Sequence, residues 1–215
     1  MGICYVVEEF DNTYTDDAQY GHVQFWDNRY LSDPEPFEWY YGYEYFQAIV
    51  NEAIPKKNKK VMIAGCGTSY FIDDMVADGF TDILGVDISR VAIEIMKARC
   101  QDMPGVTFLQ GTMADTDQPG KSFKAIIDKA CFDSIICNGV GMMSIRQYLF
   151  EVDRLLEEDG VFIVISHGNP EQRLVYLEQY DTDLPGTYEV NLIVYFHTLH
   201  DSGVGVLLGQ VILLG

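Results

Sequence analysis

A pair of glycines and a downstream acid constrain this chain more than any other feature of its sequence. Residues 61–67 read Val-Met-Ile-Ala-Gly-Cys-Gly, an apolar strand that runs into a turn, and Asp87 follows Gly67 by 20 residues at the end of a second apolar strand. Glycines let the backbone approach a ligand closely at the mouth of a parallel sheet, and a carboxylate at the tip of the next strand accepts hydrogen bonds from ribose hydroxyls. The pair predicts a site for a nucleoside-containing cofactor.

The apolar runs after residue 60 predict an α/β fold. Strands are predicted at 60–65, 82–87, 106–110, 124–128 and 161–166, and helices between and after them at 69–78, 89–100, 144–158 and 170–180. Such alternation gives a parallel sheet with helices on both faces. The apolar stretches 188–198 and 204–214 flank a polar turn, which predicts an antiparallel hairpin. We expect a Rossmann-like seven-strand sheet, mostly parallel, that ends in this hairpin.

The residues before this alternation have a different composition. Residues 1–20 are acidic and lack an apolar period, so we expect a flexible or loosely docked tail. Residues 21–54 are rich in aromatic side chains and end in a predicted helix at 42–54. We expect a single domain at 21–215, made of an N-terminal cap at 21–54, a cofactor-binding core at 60–180 and the terminal hairpin at 188–214.

The formal net charge of −19 bears on the choice of partner. Residues 1–55 hold eleven acids and one base, Arg29. Phosphate binding needs a basic face, so the sequence predicts no nucleic-acid partner. The acids are compatible with a basic protein partner that is steered by long-range attraction, and equally with a role in solubility alone.

The cysteines and apolar runs predict a cytoplasmic protein, with the nucleus as the alternative. The five cysteines show no paired spacing, which is typical of reduced thiols. No apolar run reaches the roughly 18–20 residues that cross a bilayer, so no membrane contact is predicted. His197 and His200 lie beside a predicted strand, where side chains three apart face opposite ways, so no metal site is predicted. The oligomeric state stays open.

The glycine turn lacks the third glycine of a dinucleotide site. The pattern G-x-G-x-x-G places that glycine at position 70, which is Tyr70. The third glycine allows close helix–strand packing beside a pyrophosphate, and a cofactor without phosphate does not need it. The pattern therefore favours S-adenosylmethionine over NAD or FAD. A plain glycine turn, with Asp87 as a helix-capping acid, is the structural alternative.

Five segments together carry a family resemblance. They are Phe25-Trp26-Asp27-Asn28-Arg29-Tyr30, Phe37-Glu38-Trp39-Tyr40, Ala64-Gly65-Cys66-Gly67, Val86-Asp87-Ile88-Ser89 and Asp128-Lys129-Ala130-Cys131-Phe132-Asp133. They resemble, in turn, YWDxRY, YDWY/F, LGCGNS, VDYS and (D/E)KGTLD of the class I, seven-strand S-adenosylmethionine-dependent methyltransferases. Within that class the chain is similar to the elongation factor 1-alpha lysine methyltransferase branch, which includes methyltransferase-like 13 and the endothelin-converting-enzyme-2-linked group. The match covers about residues 20 to 170, and its first and last motifs are the specific ones.

The resemblance implies a role for each matching residue. Trp26, Tyr30 and Trp39 would wall the methionine and sulfonium end of the cofactor, and Gly65, Cys66 and Gly67 would bring backbone against its methionine and ribose. Asp87 would hold the ribose hydroxyls, and Ile88, Met113 and Ala114 would border the adenine. Asp128 and Lys129 would lie beside the reacting centre, with Lys129 also in contact with the cofactor.

The chain departs from the branch at three positions in two segments. Ala114 stands where the branch has an acid for the adenine amine, and the neighbouring Asp115 is the candidate replacement. Ala130 and Cys131 replace Gly and Thr. These departures keep open a non-catalytic scaffold of the same fold.

The predicted activity is direct methyl transfer from S-adenosylmethionine, with S-adenosylhomocysteine as the product. The resemblance implies a lysine amine of a basic protein, such as elongation factor 1-alpha, as the acceptor, and a small-molecule methyltransferase is the alternative. Direct displacement needs no covalent intermediate, so Lys129 is assigned an orienting role. Asp128 and Asp133 are the candidates to receive or relay the proton, and His167 is the one histidine at the site-forming edge of the sheet.

Overall fold

Five parallel strands form the centre of the structure. The computed structural model describes residues 17–137 and 141–167, the helical positions Arg173 and Tyr176, and the backbone of four short C-terminal strands. The parallel strands are β1 (Val61–Ala64), β2 (Ile83–Asp87), β3 (Val106–Gln110), β4 (Phe123–Lys129) and β5 (Leu156–Ser166). They lie in the order β3-β2-β1-β4-β5, which is a Rossmann-like α/β arrangement, as predicted.

Helices cover both faces of this sheet. A short 3-10 helix at Asp17–Gly21 precedes α1 (Val23–Ser32), α2 (Tyr43–Ala53), α3 (Phe71–Ala77), α4 (Arg90–Arg99), α5 (Cys131–Ile136) and α6 (Gly141–Leu155). Successive strand residues point to opposite faces, so Ile63 joins the core under α2, α3 and α4, whereas Met62 joins the core under α5 and α6. Apolar strand residues face a core on both sides of the sheet. The strands therefore appear in the sequence as nearly continuous hydrophobic runs.

Most predicted elements are confirmed, with ends shifted by three residues or fewer, except that β5 begins five residues before the predicted strand at 161–166. Two helices were not predicted. The helix α1 buries only Tyr30 among its ten residues, so its sequence has no apolar stripe to reveal it. The helix α5 starts after Ala130, whose φ of 72° is left-handed, and no helix-start signal marks that position. The predicted helix at 170–180 lies largely outside the described residues.

The end predicted for α6, at Asp159-Gly160, is wrong. The helix ends at Leu155, and β5 begins at Leu156. The carbonyls of Arg154 and Leu155 accept hydrogen bonds from the backbone N–H groups of Lys121 and Ser122, at 2.8 and 2.9 Å. Because these partners belong to the segment that leads into β4, the chain passes from helix directly into the sheet.

Four C-terminal strands are described by their backbone: β6 (Glu189–Val190), β7 (Tyr195–Thr198), β8 (Gly205–Gly209) and β9 (Leu213–Leu214). The strand β8 runs antiparallel to β5, β7 pairs with β8, and β6 pairs with β9. The residues that connect these strands, including the predicted turn at 200–203, lie outside the described residues. The continuous hairpin therefore stays a prediction.

The strand order places a crevice at one edge of the sheet. The chain moves outward from β1 through β2 to β3, and then returns to the other side of β1 with β4 and β5. Ligands of open α/β sheets bind at the carboxyl ends of the strands where the order reverses, here at β1 and β4. Among the described residues, no helix combines the length and apolar character that a membrane span needs.

Candidate active site

A cavity of about 280 Å³ opens at the carboxyl ends of β1, β2 and β4. Every residue predicted to bind the cofactor lines it: Trp26, Tyr30, Trp39, Gly65, Cys66, Gly67, Asp87, Ile88, Met113, Ala114 and Lys129. Of the two residues predicted to be catalytic, Lys129 lines the cavity and Asp128 does not. Residues far apart in the sequence thus meet at the crevice that the strand order creates.

The glycine turn after β1 forms the floor of the cavity. Gly65 and Gly67 have φ values of 59° and 51°, a left-handed conformation that strains other residues. A Cβ on Gly65 would lie 2.6 Å from the Cβ of Cys131, and a Cβ on Gly67 would lie 2.8 Å from the hydroxyl oxygen of Tyr30. The glycines are therefore required by packing as well as by backbone conformation.

Asp87 ends β2 with a buried carboxylate that lines the cavity. Its two oxygens accept hydrogen bonds from the backbone N–H groups of Gly67 and Ser89, each at 2.8 Å. Burial, with a smaller contribution from Asp27, raises its pKa to about 6, and the two N–H groups oppose this rise. Each carboxylate oxygen keeps a second lone pair, so an ionised Asp87 can accept further bonds from a ligand.

Lys129 ties the end of β4 to the N-terminal cap. Its ammonium group donates to the carboxylate of Glu38 at 2.9 Å and to the carbonyl of Trp39 at 2.7 Å. Glu38 also accepts from the Ser69 hydroxyl and the Tyr70 N–H. Burial lowers the pKa of Lys129 and the adjacent Glu38 carboxylate opposes this. The amine is thus engaged in holding the cap, in agreement with an orienting role.

We expect Glu38→Gln to destabilise the fold by about 2 kcal/mol, because it leaves the buried ammonium of Lys129 without its counter-charge. The double variant Glu38→Gln/Lys129→Met removes both charges and is expected to be more stable than Glu38→Gln alone. Urea denaturation of the wild type, the single variants Glu38→Gln and Lys129→Met, and the double variant measures the coupling free energy between the two side chains. The exposed pair Arg90–Glu94 is the control, for which no measurable coupling is expected. Additive losses at Glu38 and Lys129 would contradict this account.

Asp128 supports the site from below. It is fully buried, and its carboxylate accepts from the Phe132 N–H, at 2.9 Å for the closer oxygen, and from the Tyr148 hydroxyl at 2.5 Å. Burial raises its pKa to about 7. These bonds join the end of β4 to the start of α5 and to α6. Asp128 therefore fixes the walls of the cavity and does not reach into it.

An aromatic wall closes the cavity on the side of the cap. The rings of Trp26 and Tyr30 stack with centroids 6.1 Å apart, and Trp39 meets Trp26 edge-on at 6.3 Å. Tyr20 and Phe37 extend this wall, with Tyr20 edge-on to Trp39 at 6.3 Å and Phe37 at 5.4 Å. The position of Tyr20 shows that the predicted tail is docked at least from the 3-10 helix onward. Aromatic faces of this kind attract cations.

Ile88, Met113 and Ala114 line the cavity where the chain leaves β2 and β3. Asp115, the candidate replacement for the missing acid, is exposed and does not line the cavity. The loop is fixed from α6, because buried Glu151 accepts from the N–H of Thr116 at 2.9 Å and from its hydroxyl at 2.5 Å. The structure therefore gives no support to Asp115 as the replacement.

A polar cluster around Asp133 lies beside the cavity without lining it. The Asp133 carboxylate accepts from the Tyr40 hydroxyl at 2.5 Å, the Ser166 hydroxyl at 2.6 Å and the His167 N–H at 3.2 Å, and it pairs with Arg173 at 2.7 Å. The His167 ring stacks on Tyr40 with centroids 5.9 Å apart. Asp133 is saturated by these donors, so its evident task is to hold the cap against the end of β5.

Sequence reasoning missed other polar and thiol-bearing residues of the lining. They are Thr68, Ser69, Thr112, Cys131, Ser134, Ser144, Gln147 and Tyr148, along with Tyr20. For Ser144, Gln147 and Tyr148 the sequence did contain a signal, because their spacing places them on one face of a helix. The sequence alone does not show what that face contacts.

The donors and acceptors of the cavity fit a phosphate-free adenosyl cofactor. Lys129 is the one cationic side chain in the described lining, and Glu38 already neutralises it. A pyrophosphate would therefore find no free cation there, whereas a sulfonium would find aromatic faces and a ribose would find Asp87. Among the described residues, no group of three or more histidines, cysteines or acids is arranged to hold a metal.

Comparison with known proteins agrees with this geometry. Residues 55–191 match the family model described as a methyltransferase domain. The chain belongs to that family. It is an S-adenosylmethionine-dependent methyltransferase of the branch to which the elongation factor 1-alpha lysine methyltransferases belong.

Two relatives and one solved structure illustrate the match. Mouse EEF1A lysine methyltransferase 4 is 28% identical over 195 residues, which are 85% of this chain and 76% of the relative. The mitochondrial citrate synthase-lysine N-methyltransferase CSKMT of Pongo abelii is 31% identical over 163 residues, 66% of this chain and 67% of the relative. The crystal structure of a TehB-like SAM-dependent methyltransferase from Corynebacterium glutamicum shares the fold at a TM-score of 0.55 and 16% identity, over 90% of this chain and 97% of that one.

Proposed function

We propose that this methyltransferase transfers its methyl group to a lysine amine of a basic protein. The proposal rests on the names of two relatives that match this chain over about two thirds or more of their own length. Both are named as protein lysine methyltransferases. The charge of the cap supports it. Asp27, Asp33 and Glu35 lie close in the sequence to the wall residues Trp26 and Phe37, and Arg29 is the one base of residues 1–55. A basic acceptor would approach such a surface favourably.

The proposed cofactor contacts follow the two ends of the cavity. Asp87 would accept hydrogen bonds from the ribose, and the backbone at Gly65 and Gly67 would face the ribose and methionine. Trp26 and Trp39 would surround the sulfonium, where each ring contributes roughly 0.5–2 kcal/mol of cation–π attraction. This assignment is supported by the shared cavity and by the ring geometry.

When bound, S-adenosylmethionine supplies an electrophilic methyl group on a positively charged sulfur. The chain's own residues hold the acceptor in line with it and exclude water, and such positioning is the main contribution to rate. A lysine amine with an ordinary pKa of about 10.4 must first lose its proton, and an aromatic channel lowers that pKa by desolvation. Asp128 is buried under the cavity and Asp133 is saturated, so we propose that the proton leaves to solvent.

Cofactor affinity is expected to depend on pH through Asp87. The ribose hydroxyls donate to an ionised carboxylate, and the pKa of about 6 that burial gives Asp87 in the free protein means that protons compete with the ligand below this pH. Affinity for S-adenosylhomocysteine should fall by up to about tenfold per pH unit below pH 6 and level off above pH 7. Calorimetric titration between pH 5 and 8 measures this. Asp87→Asn should abolish the dependence, and the same profile in both proteins would contradict the assignment.

The acceptor is tested with methyl-labelled S-adenosylmethionine. Purified elongation factor 1-alpha and citrate synthase serve as candidate acceptors, each with its lysines free or acetylated. We expect label in at least one free protein, recovered as methyl-lysine after hydrolysis, and none in its acetylated form. Label that resists acetylation would contradict lysine as the acceptor. Label in neither protein, but in the low-molecular-weight fraction of a lysate, would favour a small-molecule methyltransferase.

We further propose that the C-terminal strands form one antiparallel hairpin that makes the sheet seven-stranded, and that the protein is cytoplasmic. The hairpin is supported by two antiparallel pairs: β7 pairs with β8, and β6, which precedes β7, pairs with β9, which follows β8. The five cysteines, which are odd in number and show no paired spacing, support a reducing compartment. Cell fractionation tests the location, and recovery with organelles would contradict it.

A further inference from the structure

Ala114 leaves the adenine end of the cavity without a hydrogen-bonding side chain at the position where the branch has an acid. Ile88, Met113 and Ala114 are apolar, and Asp115 is exposed outside the lining. An adenine bound there would find no partner for its exocyclic amine among these side chains. An amine that gives up a water contact on binding without gaining a partner costs about 1–3 kcal/mol, so a partner from another element would be favoured.

The helix α6 presents polar groups to this part of the cavity. Ser144 and Gln147 line it, together with Tyr148. The Gln147 amide has no hydrogen-bond partner among the described residues. Its side chain is therefore available to a ligand, unlike Tyr148, whose hydroxyl is used by Asp128.

The register of α6 along the 112–116 loop places Gln147 at the adenine end. Glu151 binds Thr116 of that loop through its buried carboxylate. Gln147 lies four residues earlier on the same face, about 6 Å along the helix axis. Tyr148, which lies next to Gln147 on the helix and also lines the cavity, packs in one core cluster with Met113. Gln147 and Ala114 thus border the same end of one cavity from opposite elements.

We propose that the Gln147 amide binds the adenine of the cofactor in place of the acid missing at Ala114. A glutamine side chain offers one acceptor and two donors, so its oxygen accepts from the 6-amino group while its nitrogen donates to an adjacent ring nitrogen. The inference rests on the proposed function and on adenine lying between Ile88 and Met113, as the family resemblance implies. It assigns cofactor specificity to a helix that carries no recognised cofactor motif.

The test compares S-adenosylhomocysteine with its 6-deamino analogue, which carries purine in place of adenine, by calorimetry. The wild-type protein should bind the analogue three- to tenfold more weakly, as expected for one hydrogen bond. Gln147→Leu should bind both ligands equally, and S-adenosylhomocysteine three- to tenfold more weakly than wild type does. Gln101→Leu makes the same exchange at an exposed position outside the lining and should keep the wild-type preference.

Each outcome has one meaning. A Gln147→Leu protein that retains the wild-type preference for the 6-amino ligand would overturn the role of Gln147 and leave the proposed function intact. Equal binding of the two ligands by the wild-type protein would do the same. A wild-type protein that binds neither ligand would overturn the cofactor assignment itself, and this inference with it.

Discussion

Asp87→Asn is expected to weaken binding of S-adenosylhomocysteine about a hundredfold while leaving the stability of the free protein nearly unchanged. Hydrogen bonds to an ionised acceptor contribute roughly 1.5–3 kcal/mol each, and the ribose offers two donors to this carboxylate. A neutral amide that must also serve Gly67 and Ser89 with a single oxygen cannot replace both. Calorimetry at pH 7.5 gives the affinity.

The stability of this variant follows from the sign of the pKa shift. The folded-state pKa of about 6 lies above the unfolded value, so the protonated form is favoured in the fold, and that stabilisation is lost as the pH rises through about 6. At pH 7.5 the wild-type protein therefore bears the cost of a buried charge, which asparagine removes while losing about one hydrogen bond. Free energies of unfolding should agree within about 1 kcal/mol.

The control for this experiment is Asp82→Asn. Asp82 is an exposed acid that immediately precedes β2, at the end of the strand opposite Asp87. Neither affinity nor stability should change in this variant. If Asp87→Asn and Asp82→Asn bind the ligand equally well, Asp87 is not the ribose acceptor.

Gly65→Ala is expected to destabilise the fold by about 3 kcal/mol. The left-handed backbone at φ 59° costs any other residue roughly 1–2 kcal/mol. The new Cβ would also lie 2.6 Å from the Cβ and 2.9 Å from the sulfur of Cys131, which is fixed at the start of α5, and such overpacking costs typically 1–3 kcal/mol. Urea denaturation measures the loss.

Two further variants separate the causes. Gly111→Ala adds a methyl group to another glycine of the same cavity, where the nearest heavy atom would lie 3.9 Å away, so it should change stability by less than about 0.5 kcal/mol. In a Cys131→Gly background, Gly65→Ala should lose its steric component and keep only the backbone strain. Equal losses for Gly65→Ala and Gly111→Ala would contradict the packing account.

The part of the site that could be predicted from the sequence consists of residues at the ends of recognisable strands. Gly65, Gly67 and Asp87 lie at strand ends, and strand ends of a parallel sheet meet at one edge, so spacing alone brought them together. Trp26 and Trp39 were placed by family resemblance, because a sequence alone does not separate an aromatic side chain of a binding site from one that packs a helical cap onto the sheet. The identity of the strands followed from their continuous apolar runs.

The rest depended on tertiary contacts. The spacing of Gln147 is ordinary for an amphipathic helix, and only the packing of α6 against the 112–116 loop brings it to the cavity. The family resemblance implied a place beside the reacting centre for Asp128, but the structure buries its carboxylate against the Tyr148 hydroxyl. Ala130 adopts a left-handed φ of 72° where the resembling branch has glycine, so local sequence rules could not reveal the start of α5.

The most direct test of the central claim is a crystal structure of the protein grown with S-adenosylhomocysteine. The account predicts the ribose hydroxyls within hydrogen-bonding distance of Asp87, the adenine between Ile88 and Met113, and the sulfur facing Trp26 and Trp39. A ligand bound elsewhere, or one lying in this cavity with its adenine against the tryptophans and its ribose away from Asp87, would contradict it.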